Sequence, residues 1–357
     1  MGGVLVVGGG VAGTATAMAL HKAGLGATVF EAYSRGGDDA GAFLTLGANG
    51  MLALDALDAA GLVAEAGFEL HTLELTDCEG TLLGSRPLMP AGPDVPGYQC
   101  LHRSELYRVL QAEAERRGIA IERRKRLVHA ELLDGGVRAV FSDGTSAAGE
   151  LLVGADGLRS TVRTVIDPAA PEPRYVGVQV FYGYASDAEP RGKAGVLHIV
   201  RGSTTAFGYT IDPEGRTWWF ARLHGPELDR TTIARTRPPQ WRSDLETAFG
   251  RDRSPAADIV AATGEELFVT NARDIATLPT WHRGGMVVLG DAAHPASPAS
   301  GQGASMALED AVVLGKALRD IPDRARALDA FEQLRRHRTE ANVAASAALD
   351  ADDRALQ

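Results

Sequence analysis

The amino-acid sequence predicts an α/β fold in which a parallel-sheet domain, gathered from separate stretches of chain, carries an inserted antiparallel β-sheet and finishes in helices. Three observations predict it. Val4-Leu5-Val6-Val7 is a short apolar run that ends in glycines and leads into a helical stretch and a second strand. Four strand-like runs crowd into residues 175–223, a rhythm foreign to what precedes them. A further apolar run, Met286-Val287-Val288-Leu289, then leads into Ala- and Leu-rich sequence.

Each element has a local cause. Continuous apolar, β-branched residues at 4–7 suit a strand buried on both faces of a parallel sheet. Residues 12–23 are small or apolar without proline, and Gly24 and Gly26 stop that helix before Ala27-Thr28-Val29-Phe30-Glu31, completing a βαβ unit. Residues 101–117 read as an amphipathic helix with Ser104 as N-cap and Gly118 as its stop. Val137-Arg138-Ala139-Val140-Phe141 and the Asp143-Gly144 turn suggest an antiparallel element, and Leu151-Leu152-Val153 returns to a buried strand. Runs at 176–184, 195–200, 205–211 and 216–223 read as an antiparallel sheet. Helical patterns resume at 240–249, and two helices, 304–319 and 323 to about 349, are separated by Pro322. Residues 87–97 are the most loop-like stretch and are expected to bridge the lobes.

Composition narrows the class of partner. The 36 Lys and Arg against 46 Asp and Glu give a net charge of −10, which argues against nucleic acid or an anionic membrane surface. Arg123-Arg124-Lys125-Arg126 is too local to reverse that balance and reads as a solvated loop or strand edge. Two cysteines, Cys78 and Cys100, make no disulfide framework. No segment approaches the roughly 20 apolar residues of a membrane helix, and the N-terminus lacks a secretory pattern. The expectation is a cytoplasmic enzyme, monomer or homodimer, without stable membrane association and with no metal site.

Gly8, Gly10 and Gly13 have Gly-x-Gly-x-x-Gly spacing between a strand and a helix, so the amides of Gly10, Val11, Ala12 and Gly13 can approach a pyrophosphate at the positive helix end. Glu31 closes the second strand, where a carboxylate can hydrogen-bond ribose hydroxyls and repel a 2′-phosphate. That order fits the adenosine diphosphate half of FAD or NAD. The stretch from Gly290-Asp291 to Gly301-Gln302-Gly303-Ala304 decides between them. Asp291 can hold sugar-like hydroxyls, and a helix start free of side chains at Gly301 and Gly303 can stabilise negative charge on a reduced isoalloxazine.

Gly8-Gly9-Gly10-Val11-Ala12-Gly13, Gly154-Ala155-Asp156-Gly157-Leu158-Arg159-Ser160-Thr161-Val162-Arg163 and the stretch from Gly290 to Asp310 resemble in order the three motifs of single-component FAD-dependent monooxygenases of the para-hydroxybenzoate hydroxylase-like family, the salicylate hydroxylase and natural-product hydroxylase branch in particular. The resemblance spans nearly the whole chain. It implies a discontinuous Rossmann-like FAD-binding domain (1–70, 98–170 and 275–320), a substrate-binding β-sheet domain (71–97 and 171–274) and a C-terminal helical segment (321–357). It implies FAD as cofactor and NAD(P)H as transient co-substrate, with O2 converted to a C4a-hydroperoxyflavin that oxygenates an aromatic or polyketide-like small molecule. Asp156 would serve FAD and the NAD(P)H route, although an Asp-Gly turn before Ser and Arg equally caps a helix. Arg103 would lie near the flavin or its ribityl chain, and Ala42, between Gly41 and Phe43, would offer it backbone contact. Pro298, Gly301, Gln302 and Gly303 would position the isoalloxazine, and no classical acid–base residue is assigned. A flavin dehydrogenase or reductase, or a non-enzymatic FAD-binding partner protein, is the alternative.

Substrate candidates come from the antiparallel runs: Gln179, Tyr182, His198, Tyr209 and Arg222. Alternation puts Tyr182 and Tyr184 on one face and Gln179 and Phe181 on the other. Related hydroxylases often carry aromatic-Arg-Gly in the first of these strands, whereas this chain has Phe181-Tyr182-Gly183. That departure disfavours an aromatic carboxylate and points to a hydrophobic, uncharged substrate.

Overall fold

The computed structural model describes residues 3–34, 42–90, 92–186 and 192–354. The strand Val4–Val7 is the inner strand of a six-stranded sheet, paired in parallel with Ala27–Glu31 on one side and Leu151–Gly154 on the other. Ala120–Arg123 and Met286–Val288 extend the sheet in parallel, and the two-residue strand His282–Arg283 closes one edge antiparallel. All four residues of Val4–Val7 are buried, as expected of a strand covered on both faces. Helix Val11–Lys22 packs on helix Gly303–Asp320, and their closeness is legible at Gly315, where a Cβ would stand 2.8 Å from that of Ala19. The approach brings the N-termini of the two helices to one edge of the sheet.

A second sheet has seven strands in the order Thr263–Asp274, Arg174–Ala185, Thr217–His224, Ala206–Ile211, Val196–Arg201, Thr72–Asp77 and Leu82–Pro87. It is antiparallel except where Val196–Arg201 runs parallel to Thr72–Asp77. The four expected runs all lie in it, within a residue or two of their expected ends. Strand Thr263–Asp274 is absent from the sequence reading because Glu265 and Glu266 interrupt any apolar rhythm. It occupies an edge, paired only with Arg174–Ala185, and there those carboxylates reach solvent.

The two faces of this sheet are chemically distinct. Phe181, Phe207, Tyr209 and Trp219 pack under helices Pro238–Phe249 and Ala256–Ala261 through Trp241, Leu245, Phe249 and Ile259. Each fully buried side chain of this kind is worth about 1.5–3 kcal/mol, so that side is a sealed core. Tyr182, Tyr184, Trp218, Phe220 and Phe268 face the other way, toward Phe43, Leu70 and Cys100. Gly208 makes room there: a Cβ on it would stand 2.3 Å from the Phe220 ring.

Two local expectations need correction. Helix Arg103–Arg116 starts one residue before Ser104, so His102, with no side-chain cap, is its N-cap. The preceding strand Tyr98–His102 runs directly into it, and the Arg103 amide is satisfied by Ala42 O at 3.0 Å rather than by a hydroxyl. Pro87 belongs to an edge strand, where a missing N–H costs little. The rest of 87–97 does connect that sheet to Tyr98–His102.

Candidate active site at the two helix starts

The glycine-rich turn is built by close packing. Gly8 has φ +104°, and a Cβ on it would lie 2.3 Å from Ala155 O; a Cβ on Gly13 would lie 1.9 Å from Gly8 O. Only glycine fits at either place. Gly10 differs: it is the extended N-cap of Val11–Lys22 (φ −75°), no side chain caps the helix, and a Cβ there would meet nothing within 4 Å. The amides of Val11, Ala12 and Gly13 are therefore the unpaired donors of a helix end that faces open space.

Glu31 sits at the adjoining strand end, only 7% exposed, and its carboxylate accepts from the Gly9 amide at 2.7 Å and the Tyr33 amide at 2.8 Å. The Gln111 amide donates to Gly9 O at 2.6 Å and in turn accepts from Arg123. The basic run thus braces the glycine turn through its first member, while Lys125 pairs with Asp143.

The second helix start is made from residues almost the whole chain away. Gly290, at φ +57°, opens a single 3-10 turn, Gly290–Ala292, that carries the partly exposed Asp291. The turn is fixed from below by Asp310, a fully buried carboxylate that accepts from the Gly290 amide at 2.9 Å, His294 Nε2 at 2.6 Å and Arg335 Nε at 2.7 Å. Burial opposes ionisation of Asp310, but His294 and Arg335 outweigh it and hold the carboxyl below its ordinary range. A second 3-10 turn, Pro298–Ser300, ends at Gly301 in the left-handed region (φ 65°, ψ 13°), and helix Gly303–Asp320 begins two residues later. Its N-cap, Gln302, supplies no side-chain cap, and a Cβ on Gly303 would meet nothing within 4 Å. Ala304 follows in the first turn, next to Gly303.

Arg103 stands between the sheets. Its side chain is exposed, its Nε donates to Tyr107 Oη at 2.8 Å, and Tyr107 first, then Asp291, hold its guanidinium above its ordinary basicity. Arg103 is close enough to Tyr182 to counter the rise that burial gives the Tyr182 phenol, and Arg222 does the same. Tyr182 and Arg222 share one face of the large sheet, since Val180 pairs with Arg222 and Tyr182 with Phe220. The other three substrate candidates are on the opposite face. Gln179 donates to Pro226 O at 2.8 Å, and His198 stacks on Tyr209 at 4.6 Å beneath the helical cover. Strand alternation therefore puts Gln179, His198 and Tyr209 on the opposite face of the sheet from Tyr182 and Arg222.

Asp156 takes the helix-capping alternative. Its carboxylate accepts from Ser160 Oγ and from the amides of Thr161 and Val162, while Ser160 caps helix Thr161–Ile166 through the Arg163 amide. Burial nevertheless raises the Asp156 pKa above its usual value. Arg163, 2% exposed, donates to Leu158 O and to Ala292 O, tying this turn to the one that holds Asp291. Ala42 is joined to the Arg103 amide, and Gly41 lies outside the described residues. Sequence reading missed Asp310, Arg163 and Arg335 as site supports. Asp310 falls inside a motif, but nothing local marks Arg335, which reaches it from another helix.

The two helices are 12 and 18 residues long, and both starts lie at the carboxyl ends of parallel strands, where open α/β sheets bind ligands. Gly10 and Gly303 leave free the space a Cβ would fill, and Asp291 and Arg103 add a hydroxyl acceptor and a cation. This donor set fits FAD, whose pyrophosphate suits the first helix start and whose isoalloxazine suits the second.

Comparison with known proteins agrees. A family model described as "FAD binding domain" matches residues 2–346. The aurachin C monooxygenase/isomerase of Stigmatella aurantiaca is 32% identical over 356 residues, covering 96% of this chain and 87% of that protein. The FAD-dependent urate hydroxylase of Klebsiella oxytoca is 30% identical over 341 residues, covering 93% and 85%. The crystal structure of Klebsiella pneumoniae HpxO complexed with FAD and uric acid has a TM-score of 0.86 at 26% identity, covering 97% of this chain and 87% of that one. With a match over nearly its full length and the helix starts that FAD requires, the chain belongs to the FAD-binding-domain family and is an FAD-dependent monooxygenase.

Proposed function

We propose that this monooxygenase uses NAD(P)H and O2 to hydroxylate an uncharged aromatic or polyketide-like small molecule lying against the face of Tyr182, Phe220 and Phe268. One observation carries the substrate class: that face is aromatic and its one guanidinium from the central strands, Arg222, is already paired with Asp350. An aromatic wall offers stacking and edge contacts to a flat substrate, and the Arg222 guanidinium beside it is already engaged by Asp350.

FAD, when bound, would supply the redox chemistry that couples NAD(P)H and O2 to the substrate. The chain supplies position and field. Gly10, Val11, Ala12 and Gly13 would hold the pyrophosphate with backbone amides, Glu31 would support the adenosine ribose end, and Asp291 and Arg103 would hold the polyol and ring edge. Pro298 shapes the turn before helix Gly303–Asp320, and the amides from Gly301 through Ala304 would direct the positive end of this 18-residue helix toward negative charge on the flavin. Asp156 acts at one remove, by ordering the turn whose Arg163 fixes Ala292. The aromatic wall excludes water, which protects the reactive oxidant from wasteful decay.

The test is turnover with isotopically labelled O2. Aromatic amides, phenols and polyketide fragments should stimulate NAD(P)H oxidation and emerge carrying one labelled oxygen atom. Anaerobic turnover to a product without that atom would establish a dehydrogenase instead.

A further inference from the structure

Helix Arg324–Arg354 runs past the site and makes two contacts on one of its faces. Ser346 Oγ donates to Ser300 Oγ at 2.8 Å, and Ser300 also bonds Asn342, so the helix grips the Pro298–Ser300 turn. One turn further on, Asp350 meets Arg222 of the large sheet, Oδ1 to Nη1, at 3.4 Å. Residues four apart share a helix face, so the grip on the turn and the grip on the sheet belong to one surface. Both charged side chains are buried, at 9% exposure for Arg222 and 6% for Asp350. Arg222 emerges on the same sheet face as Tyr182, Trp218 and Phe220, and its charge is felt at the Tyr182 phenol.

A buried guanidinium demands an anion. Here Asp350 supplies one, at 3.4 Å. We propose that Asp350 is the specificity-determining residue of the substrate wall: its carboxylate takes the place on Arg222 that an aromatic acid would occupy, so the enzyme selects neutral rings over their carboxylate counterparts. The inference rests on the reading of this face as the substrate wall. A pair that served only to staple the helix to the sheet would discriminate by shape and not by ligand charge.

The experiment titrates the FAD-loaded enzyme with naphthamide and naphthoate, matched in size and different in charge, following perturbation of the flavin absorbance. The quantity read is the ratio of the two dissociation constants. Wild type should favour the amide. Asp350→Asn should lower the naphthoate-to-naphthamide ratio by about tenfold or more, as one charge-assisted contact predicts, and Arg222→Gln added to it should restore the preference for the amide. Asp350→Ser serves as the second variant if the amide side chain impairs folding. A wild type that holds naphthoate as tightly as naphthamide, or folded Asp350 variants with an unchanged ratio, overturns the inference. If neither ligand perturbs the wild-type flavin, the substrate wall itself has been misassigned, and the proposed function falls with it.

Discussion

Gly10→Ala and Gly13→Ala, three residues apart in one motif, should separate ligand binding from folding. At Gly10 the backbone is extended and a Cβ meets nothing within 4 Å, so alanine introduces no clash. Alanine is a poorer N-cap than glycine by some tenths of a kcal/mol, and the stiffer unfolded chain returns about 0.4–1 kcal/mol, so the folded apoprotein should keep its stability. The open space is where a pyrophosphate must approach the amides of Val11 to Gly13. A methyl group there weakens one charge-assisted hydrogen bond, about 1.5–3 kcal/mol, which is about 10- to 150-fold in the FAD dissociation constant. Gly13→Ala, in contrast, sets a Cβ 1.9 Å from Gly8 O, between two backbone segments. It should cost about 1–3 kcal/mol or more of stability before any ligand is added. Thermal unfolding of apoprotein and fluorescence titration with FAD measure the two quantities. If Gly10→Ala binds FAD like wild type, the first helix start does not hold the pyrophosphate and the motif serves packing alone.

Asp310→Ala should destabilise the protein by about 1–3 kcal/mol, because it leaves buried His294 without its carboxylate and Arg335 with Glu309 as its remaining carboxylate partner among the described residues. Denaturant unfolding measures this, and FAD affinity should fall with it as the Gly290 turn loses its anchor; a loss under about 1 kcal/mol would mean that water replaces the carboxylate. Acid should act elsewhere too. Arg116 first, and Arg117, hold the Glu113 carboxyl down from its ordinary 4.5 to about 2 against burial. Its folded pKa is below its unfolded value, so its contribution is complete above about pH 4.5 and disappears as pH falls toward 2. Glu113→Gln should therefore flatten the stability profile in that window, and an unchanged acid limb would refute the assignment.

Much of the fold is legible locally because its causes are local. The run 4–7, the glycines after it, the helix stop at Gly24 and the four strands of 174–224 each follow from adjacent residues, and the structure places them where the pattern does. Strand Thr263–Asp274 is illegible for the opposite reason: its carboxylates are acceptable only at a sheet edge, and edge position is a property of the whole sheet.

The candidate site divides along the same line. Gly10, Gly303 and Glu31 can be read from spacing, since a helix start and a strand end are defined by a few residues. Which sheet face is left uncovered cannot, because alternation sorts Tyr182 and Arg222 from Gln179, His198 and Tyr209 without saying which set is capped; the helices 238–249 and 256–261 decide it by covering one side. Arg163, Asp310 and Arg335 become site supports only when strands and helices distant in the chain are packed together. The family and its cofactor follow from short-range patterns of backbone and side chain, whereas the selectivity proposed for Asp350 depends on two charges 128 residues apart meeting in a desolvated contact.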